Sequence, residues 1–430
     1  MPIKGPILLY GAGREALSTR QLLKEIVPQT LVDVCVDQGE ADVPDTNQVP
    51  VSSLIEAFEQ GKYKTLVRSP GVSIYKPELI AAKNAGIEIT TNINIWSEYR
   101  RGKTKIIALT GTKGKSTTAK LIYTMLLAAE FDVGLAGNIG IPVTQSAPHD
   151  YMVLELSSFQ CADLKLNPDF IGITSIFPEH LDWHGDEATY INDKFNILRR
   201  TAPYKCALSL QICNHPNLPQ PPNDLLGKLP HLTQEFGPKL ADAVGLSSLK
   251  GEHNLQNAIL AARLALGVGA SEEAILEGID NFEPLAHRLE EFSAGGKTFV
   301  NDSIATNPEA TKAAIATYAN KNVALIVGGF DRDQDYVNLV NYLHQAPITS
   351  IWFLPDTGHR IAKMLSVYDM DISTHTVQNL EQIFIDLKSS PDQFDVLLLS
   401  PAAPSFNQFK NFEKRGEAFL ELARNYFGDE

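Results

Sequence analysis

Residues 111–117 read Gly-Thr-Lys-Gly-Lys-Ser-Thr, which crowds glycines, lysines and hydroxyls into one short loop. The common phosphate loop reads G-x-x-x-x-G-K-[ST]. Counted back from Gly114-Lys115, its first glycine would fall on Leu109, and a glycine stands at Gly111 instead. The context is still that of a phosphate loop: the apolar run KIIALT precedes it, and a helix is expected to begin near Ser116. Glycines let backbone N–H groups converge on anionic oxygens, and a helix N-terminus adds a favourable dipole. Lys115 would neutralise β/γ-phosphate charge, and the Ser116 hydroxyl would take a place on Mg²⁺. Thr112, Lys113 and Thr117 complete the loop. An ordinary strand-to-helix turn is the bland alternative, and the shared register of Gly, Lys and two hydroxyls weighs against it.

Further polar residues follow strand-like runs. Glu155 ends the apolar stretch of LELSSFQ, where an α/β fold would place a ligand-facing carboxylate able to bind Mg²⁺. His180 follows GITSI, and Lys194 lies on an expected helix one turn after Tyr190. Singly, such residues are more often surface or core filler. Asn254 and Asn257 stand three apart at a helix start in GEHNLQNA, facing a ligand or capping the helix. His287, Arg288, Asn301, Asp302 and Thr306 cluster in AHRLEEF and FVNDSIATNPEAT, and could equally be loops with Asx turns. Near the N-terminus, YGAGREA matches the weak fingerprint G-x-G-x-x-[GA], with Asp37 about twenty residues beyond the loop.

The elements that must position these residues alternate between short β-branched runs and amphipathic stretches, which is the α/β pattern. PILLYGAG, TLVDVCVD, TLVRSPGV and IEITTNINIW form a first block. KTKIIALTGTKGKS, DYMVLELSSFQ and DFIGITSIFPEH form a second. KTFVNDS, NVALIVGGF, SIWFLP and FDVLLLSPAAP form a third. Boundaries fall near residues 100 and 285, giving domains 1–100, 101–285 and 286–430. The Pro- and Asn-rich stretch from about 210 to 230 reads as a surface excursion.

Composition narrows the classes. At 430 residues the chain exceeds one ordinary core. With 44% hydrophobic and 20% charged residues it reads as a soluble globular protein. No apolar run approaches a membrane span, and no signal peptide is evident. Cys35, Cys161, Cys206 and Cys213 lack metal spacing and fit a reducing cytoplasm. A net charge of −14 argues against a nucleic-acid or anionic-membrane surface.

In chain order, T-G-T-x-G-K-S-T, ELSSFQ, EHLDWHG…Y…K, GEHNLQN, HR and NDSxATN resemble the Mur ligases of bacterial cell-wall synthesis. SPGVSIYKPEL and LLLSPAAPSFNQFKNFEKRGEAF (397–419) are similar to the glutamate-adding branch. The resemblance runs from about residue 7 to residue 419. It implies a Rossmann-like N-terminal domain, a central P-loop-type ATPase domain and a Rossmann-like C-terminal domain. These would hold a UDP-sugar, ATP and the amino acid, respectively.

The implied reaction activates the carboxylate of UDP-N-acetylmuramoyl-L-alanine as an acyl phosphate, at the expense of ATP, for attack by D-glutamate. The related ligase adding L-glutamate is the alternative. Lys115, His180 and Lys194 would be catalytic. Of two Mg²⁺ sites, one would use Ser116 and Glu155. The other would use His180 and Lys194, the lysine carbamylated. Asn254, Asn257, Arg288 and Asp302 would join the loop in binding the nucleotide. Gly11, Ala12, Gly13, Arg14, Ser69, Pro70, Gly71 and Asn138 would face the UDP-substrate, and His287 that substrate or the nucleotide. Thr306, Arg332, Ser405 and Phe412 would face glutamate. Three departures stand out: Ile304 and Arg332 occupy positions usually held by lysine, and Pro404 replaces a smaller residue. Arg332 can pair with a carboxylate but is not an equivalent donor. The resemblance favours a cytoplasmic monomer.

Two rival classes explain less. A nicotinamide dehydrogenase would use the GAG turn and leave the central loop idle. A non-catalytic nucleotide-binding scaffold has no need of Glu155, His180 and Lys194 together. Within the superfamily, folylpolyglutamate synthetase would lack the N-terminal unit and the SFNQFKNFEKRG ending.

Overall fold

The apolar runs ILLY, KIIALT, YMVLE, VALIV and VLLL become strands whose residues are nearly all buried. Such runs suit parallel sheets covered by helices on both faces. The computed structural model describes all residues except 1–2, 38, 140, 201–205, 220–231, 248, 250–251, 284–285, 332–333, 369–371, 390–393 and 429–430. The fold is α/β, built on three sheets.

The first sheet contains β1 (Ile7–Tyr10), β2 (Val32–Cys35), β3 (Asn47–Gln48), β4 (Thr65–Arg68) and β5 (Glu88–Thr90), in the order β3-β2-β1-β4-β5. The second contains β6 (Lys105–Thr110), β7 (Val133–Gly137), β8 (Tyr151–Glu155), β9 (Phe170–Ile173) and β10 (Cys206–Leu208), in the order β10-β9-β6-β8-β7. Both are parallel throughout. The third contains β11 (Glu290–Ala294), β12 (Lys297–Asn301), β13 (Val323–Val327), β14 (Ile348–Phe353), β15 (Ser373–Thr376) and β16 (Val396–Leu399), in the order β11-β12-β16-β13-β14-β15. Its edge pair β11–β12 is antiparallel, joined through Gly295 and Gly296 at φ +54° and +70°. Two consecutive positive φ values make the turn that suits a two-residue hairpin, and glycine takes them without strain.

The chain divides into two compact units, Met1–Glu283 and Pro284–Glu430. The first holds two sheets and the second one. Each sheet separates two apolar clusters. In the second sheet, Leu121, Met125, Leu260 and Leu264 pack on one face, and Ile93, Trp96, Tyr190 and Phe195 on the other. Several helices start on side-chain caps written in the sequence: Thr91, Asp186, Asn307 and Asn411 each accept from a backbone N–H of the first turn.

Arg68 ties the first two sheets together from the end of β4. Its Nε and Nη2 donate to the two oxygens of Asp163 at 2.9 and 2.6 Å, and Nη2 also donates to Phe159 O at 2.8 Å. Nη1 serves the carbonyl of Val72 at 2.9 Å.

The stretch expected as a surface excursion is different at its start. Residues Leu210–Cys213 form a helical turn capped by Ser209, because that serine hydroxyl accepts from the Ile212 N–H. Residues 220–231 lie outside the described residues. Among the described residues no helix is long and apolar enough to cross a membrane.

Candidate active site

The loop between β6 and the helix Lys115–Ala128 needs both its glycines. Gly111 (φ +146°) and Gly114 (φ +83°) adopt backbone conformations that side chains disfavour. A Cβ on Gly111 would collide with Thr174 Oγ1, and one on Gly114 with Asn257 Oδ1. The second clash shows that Asn257, on the helix Glu252–Val268, faces the loop. Asn254 accepts from Asn257 Nδ2 at 3.2 Å on the same helix.

Other residues brace the loop. The Thr112 N–H donates to Ser175 O at 2.6 Å, and its hydroxyl lies 2.6 Å from Tyr190 Oη. Lys113 is exposed and pairs with Glu179 at 2.6 Å. Lys115 Nζ donates to Thr112 O at 2.9 Å. Ser116 is buried and Thr117 half-buried. The helix has no side-chain cap and no acidic residue in its first turn. Its N-terminal N–H groups and dipole therefore suit an anion.

Glu155 closes β8 opposite Leu109, the residue of β6 just before the loop's threonine and glycine. It is 0% exposed. Its Oε1 accepts from Asn138 Nδ2 at 3.0 Å, and its Oε2 has no partner among the described residues. A buried carboxylate oxygen left unpaired is costly unless a cation or donor meets it. The following Ser157 and Gln160 form a capping box, so most of the SSFQ signal is helix geometry.

Lys194, on the helix Glu187–Phe195, is 2% exposed and donates to Gly111 O at 2.7 Å. Burial, with Lys115 nearby, pushes its pKa down to about 7. His180 holds φ +57°, with its ring 4.9 Å from that of Phe159. Half its side chain is open, yet desolvation by the surrounding protein still holds its pKa below the ordinary histidine value. The first unit thus gathers the loop, Asn138, Glu155, His180, Lys194 and Asn257 around the carboxyl end of β6. Among the described residues no three His, Cys, Asp or Glu side chains are grouped to hold a metal. A cation here would combine one carboxylate and a hydroxyl with oxygens of a bound phosphate, a hard oxygen set suited to Mg²⁺.

The first sheet brings two turns together. A Cβ on Gly11 (φ +109°) would collide with the Ser69 side chain, so the turn that Gly11 opens approaches Ser69 closely. Gly13 has open space where a side chain would stand. Beside them Asp37 Oδ1 accepts from Tyr10 Oη at 2.7 Å and from Lys76 Nζ at 2.6 Å. Asn138 is not at this edge but beside Glu155.

Within the second unit, Asp302 follows β12 and accepts from Ser400 Oγ at 2.8 Å. Burial raises its pKa to about 7, against the opposing pull of Arg288. Asn301 Nδ2 reaches Glu290 Oε2 and His287 Nδ1, each at 2.9 Å. The Ile304 N–H donates to His287 O at 3.1 Å. Thr306 is half-buried, and its carbonyl accepts from Gln334 at 3.3 Å. Phe412 opens the last helix, with its ring 5.9 Å from His287 and its carbonyl accepting from Ser303 Oγ at 2.8 Å. Ser405 is buried with no partner for its Oγ among the described residues. Arg332 lies outside the described residues.

Three features escaped the sequence. Buried Arg415 donates to Ser303 Oγ at 3.0 Å, Ser303 O at 2.9 Å and Ala403 O at 3.0 Å, joining the loops after β12 and β16. His184 bridges Asp193 Oδ2 at 2.6 Å and Ser158 Oγ at 3.0 Å. Lys76 pairs with Asp37, and only its place in SPGVSIYKPEL hinted at a role.

Comparison with known proteins adds sequence kinship to this geometry. Residues 109–216 match the model of the Mur ligase middle domain. The chain is 34% identical, over 98% of its length and 97% of the relative's, to a UDP-N-acetylmuramoyl-L-alanine--L-glutamate ligase of Micromonospora sp.. A protein of the same name from Xanthomonas oryzae pv. oryzae is 33% identical over 97% of this chain and 94% of its own. Among solved structures, UDP-N-acetylmuramate-alanine ligase MurC of Thermotoga maritima superposes with a TM-score of 0.57 at 16% identity, covering 97% of this chain and 99% of that one. MurF ligase of Thermotoga maritima, in complex with ADP, gives 0.54 at 12% identity, covering 98% and 95%. The structural likenesses share the fold alone. Identity of 34% along nearly the whole of both chains shows more: the chain belongs to the Mur ligase family.

Proposed function

We propose that this chain is an ATP-dependent ligase that joins L-glutamate to UDP-N-acetylmuramoyl-L-alanine in peptidoglycan precursor synthesis. The observation that supports the chemistry best is the buried cluster at the phosphate loop: Lys194 on Gly111 O, with the orphaned Glu155 Oε2 beside β6. The printed names of the relatives support the acceptor, since each is called an L-glutamate ligase. The D-glutamate reading rests on the SFNQFKNFEKRG ending. Against it stand Ile304 and Arg332, which depart from the pattern of that branch.

A free carboxylate is a poor acyl donor because its leaving group would be oxide. Phosphoryl transfer from ATP to the alanyl carboxylate gives an acyl phosphate and ADP. The glutamate amine then attacks the carbonyl carbon. A C–N bond forms, the C–O bond to phosphate breaks, and the nitrogen loses a proton. Lys115 and the helix N-terminus would offset charge on the transferring phosphoryl group. Ser116 and Glu155 would hold one Mg²⁺, and His180 with Lys194 a second, supplying charge neutralisation where phosphate and carboxylate oxygens meet.

Lys194 would serve as a carbamate. Burial, with Lys115 nearby, lowers its pKa to about 7 and so favours the neutral amine, the form that adds CO₂. In this reading residues 1–100 hold the UDP-sugar through 11–14 and 69–71, and residues 101–285 hold ATP. Residues 286–430 hold glutamate through Thr306, Arg332, Ser405 and Phe412. Asn254 and Asn257 of the first unit would contact the adenosine. A cytoplasmic monomer fits these substrates.

The test is omission. Mass spectrometry should show a product heavier than the UDP-substrate by one glutamate less water, formed only when ATP, Mg²⁺, the UDP-substrate and glutamate are all present. Product without ATP, or none with all four, would refute the reading.

A further inference from the structure

Two hydroxyls at the carboxyl edge of the third sheet are buried and idle. Thr357 is 0% exposed and Ser405 2% exposed. Neither Thr357 Oγ1 nor Ser405 Oγ has a hydrogen-bond partner among the described residues. Buried polar groups are nearly always paired, so two on adjoining loops require a common explanation.

Gly329 is the meeting point of their loops. Its carbonyl accepts the N–H of Asp356 at 2.8 Å and of Thr357 at 2.9 Å. On its other side a Cβ would collide with Pro404 O, the carbonyl that also accepts from Phe330 N at 2.8 Å. The start of the helix Thr357–Leu365, after β14, and the Pro404–Ser405 turn, after β16, are therefore both clamped on the turn after β13. The helices that follow β12, β13 and β14 lie on one face, with Ile315, Leu339 and Ile361 in one cluster. Those after β15 and β16 lie on the other, with Ile383 and Phe419 in the second cluster. The chain thus changes faces beside β16, between β12 and β13. Open α/β sheets bind ligands outside the carboxyl ends of strands at such a switch point.

The chemistry points to a carboxylate. An ionised carboxylate, with two acceptor oxygens, can take both hydroxyl protons at once. The helix Thr357–Leu365 has no acidic residue in its first turn, and its N-cap Asp356 makes no side-chain capping bond. Its N-terminus is left to favour negative charge. The Asp356 carboxylate itself stands 3.4 Å from Asn407 Nδ2.

We propose that Thr357 Oγ1 and Ser405 Oγ together donate to one carboxylate of the amino-acid acceptor, making Thr357 a specificity-determining residue. This rests on the reading of the second unit as the glutamate-binding domain.

The test follows phosphate release by the full-length enzyme with saturating ATP and UDP-N-acetylmuramoyl-L-alanine, as glutamate is varied. Thr357→Val removes the hydroxyl at nearly constant shape. It should raise KM for glutamate by about 10- to 100-fold, the worth of a hydrogen bond to a charged group. KM for ATP and for the UDP-substrate should not move, and Thr357→Ser should restore the wild-type value. If Thr357→Val does not fold, Thr357→Ala is judged by the same shift. A wild-type KM for glutamate in the Val or Ala variant, with a raised one in Ser405→Ala, would overturn the role of Thr357 alone. Wild-type enzyme with no glutamate-dependent release would instead overturn the reading beneath it.

Discussion

Lys194 Nζ donates to the carbonyl oxygen of Gly111 at 2.7 Å, tying a buried amine to the first glycine of the phosphate loop. Removing it should do more than loosen the loop. Lys194→Ala is expected to cut turnover by about 100-fold or more, the scale of a lost electrostatic group at a reacting centre. Small carboxylic acids such as acetate should restore part of the rate, because a carbamate acts through its charge. Full activity without rescue would take Lys194 out of the mechanism.

Lys115 lies at the start of the helix that the loop feeds, with Nζ held on Thr112 O. Lys115→Ala should lower kcat by about 1000-fold while leaving the melting temperature nearly unchanged, since the group serves developing charge rather than packing. Steady-state rates with a melting curve of the same sample would check this. Near-normal turnover would contradict the phosphate-loop assignment.

Arg68 is spent entirely on protein groups. Replacing it with alanine leaves Asp163 and several carbonyls without their donor. Arg68→Ala should destabilise the first unit by about 3–5 kcal/mol, as expected when one partner of a buried pair is removed. Arg68→Lys should recover only part, because it cannot reproduce the fork that spans both Asp163 oxygens. Urea unfolding of the two variants gives the comparison, and an unchanged midpoint for Arg68→Ala would show that the clamp contributes nothing.

Asp302 couples stability to pH. Burial raises its folded pKa from 3.8 to about 7. Between those values the folded state keeps a proton that the unfolded state has released, so stability falls as pH rises through this window and levels off above it. Asp302→Asn, neutral at every pH, should be close to wild type in melting temperature at pH 4 and more stable at pH 8. Parallel wild-type and variant curves across the range would contradict the assigned burial cost.

Much of the fold is legible because its signals are local. The run VALIV, read as a strand of the third block, is β13, buried along its whole length. The phosphate loop is legible for the same reason: strand, glycines and helix are contiguous. What the sequence hides depends on long-range geometry. Arg68 reaches Asp163 and Arg415 reaches Ser303 across long stretches of chain, and no spacing rule announces that a surface-type residue will be buried. Asn138 illustrates the intermediate case. Only the family resemblance singles it out in the sequence, and its place beside Glu155 follows from the pairing of β7 with β8. Thr357 carried no motif at all, and only its burial without a partner draws notice.

The most direct test compares L- and D-glutamate in one assay of phosphate release, with ATP, Mg²⁺ and UDP-N-acetylmuramoyl-L-alanine. Release should depend on L-glutamate and be much slower with the D-enantiomer. Release with D-glutamate alone would contradict the acceptor assignment, and dependence on neither enantiomer would contradict the ligase reading itself.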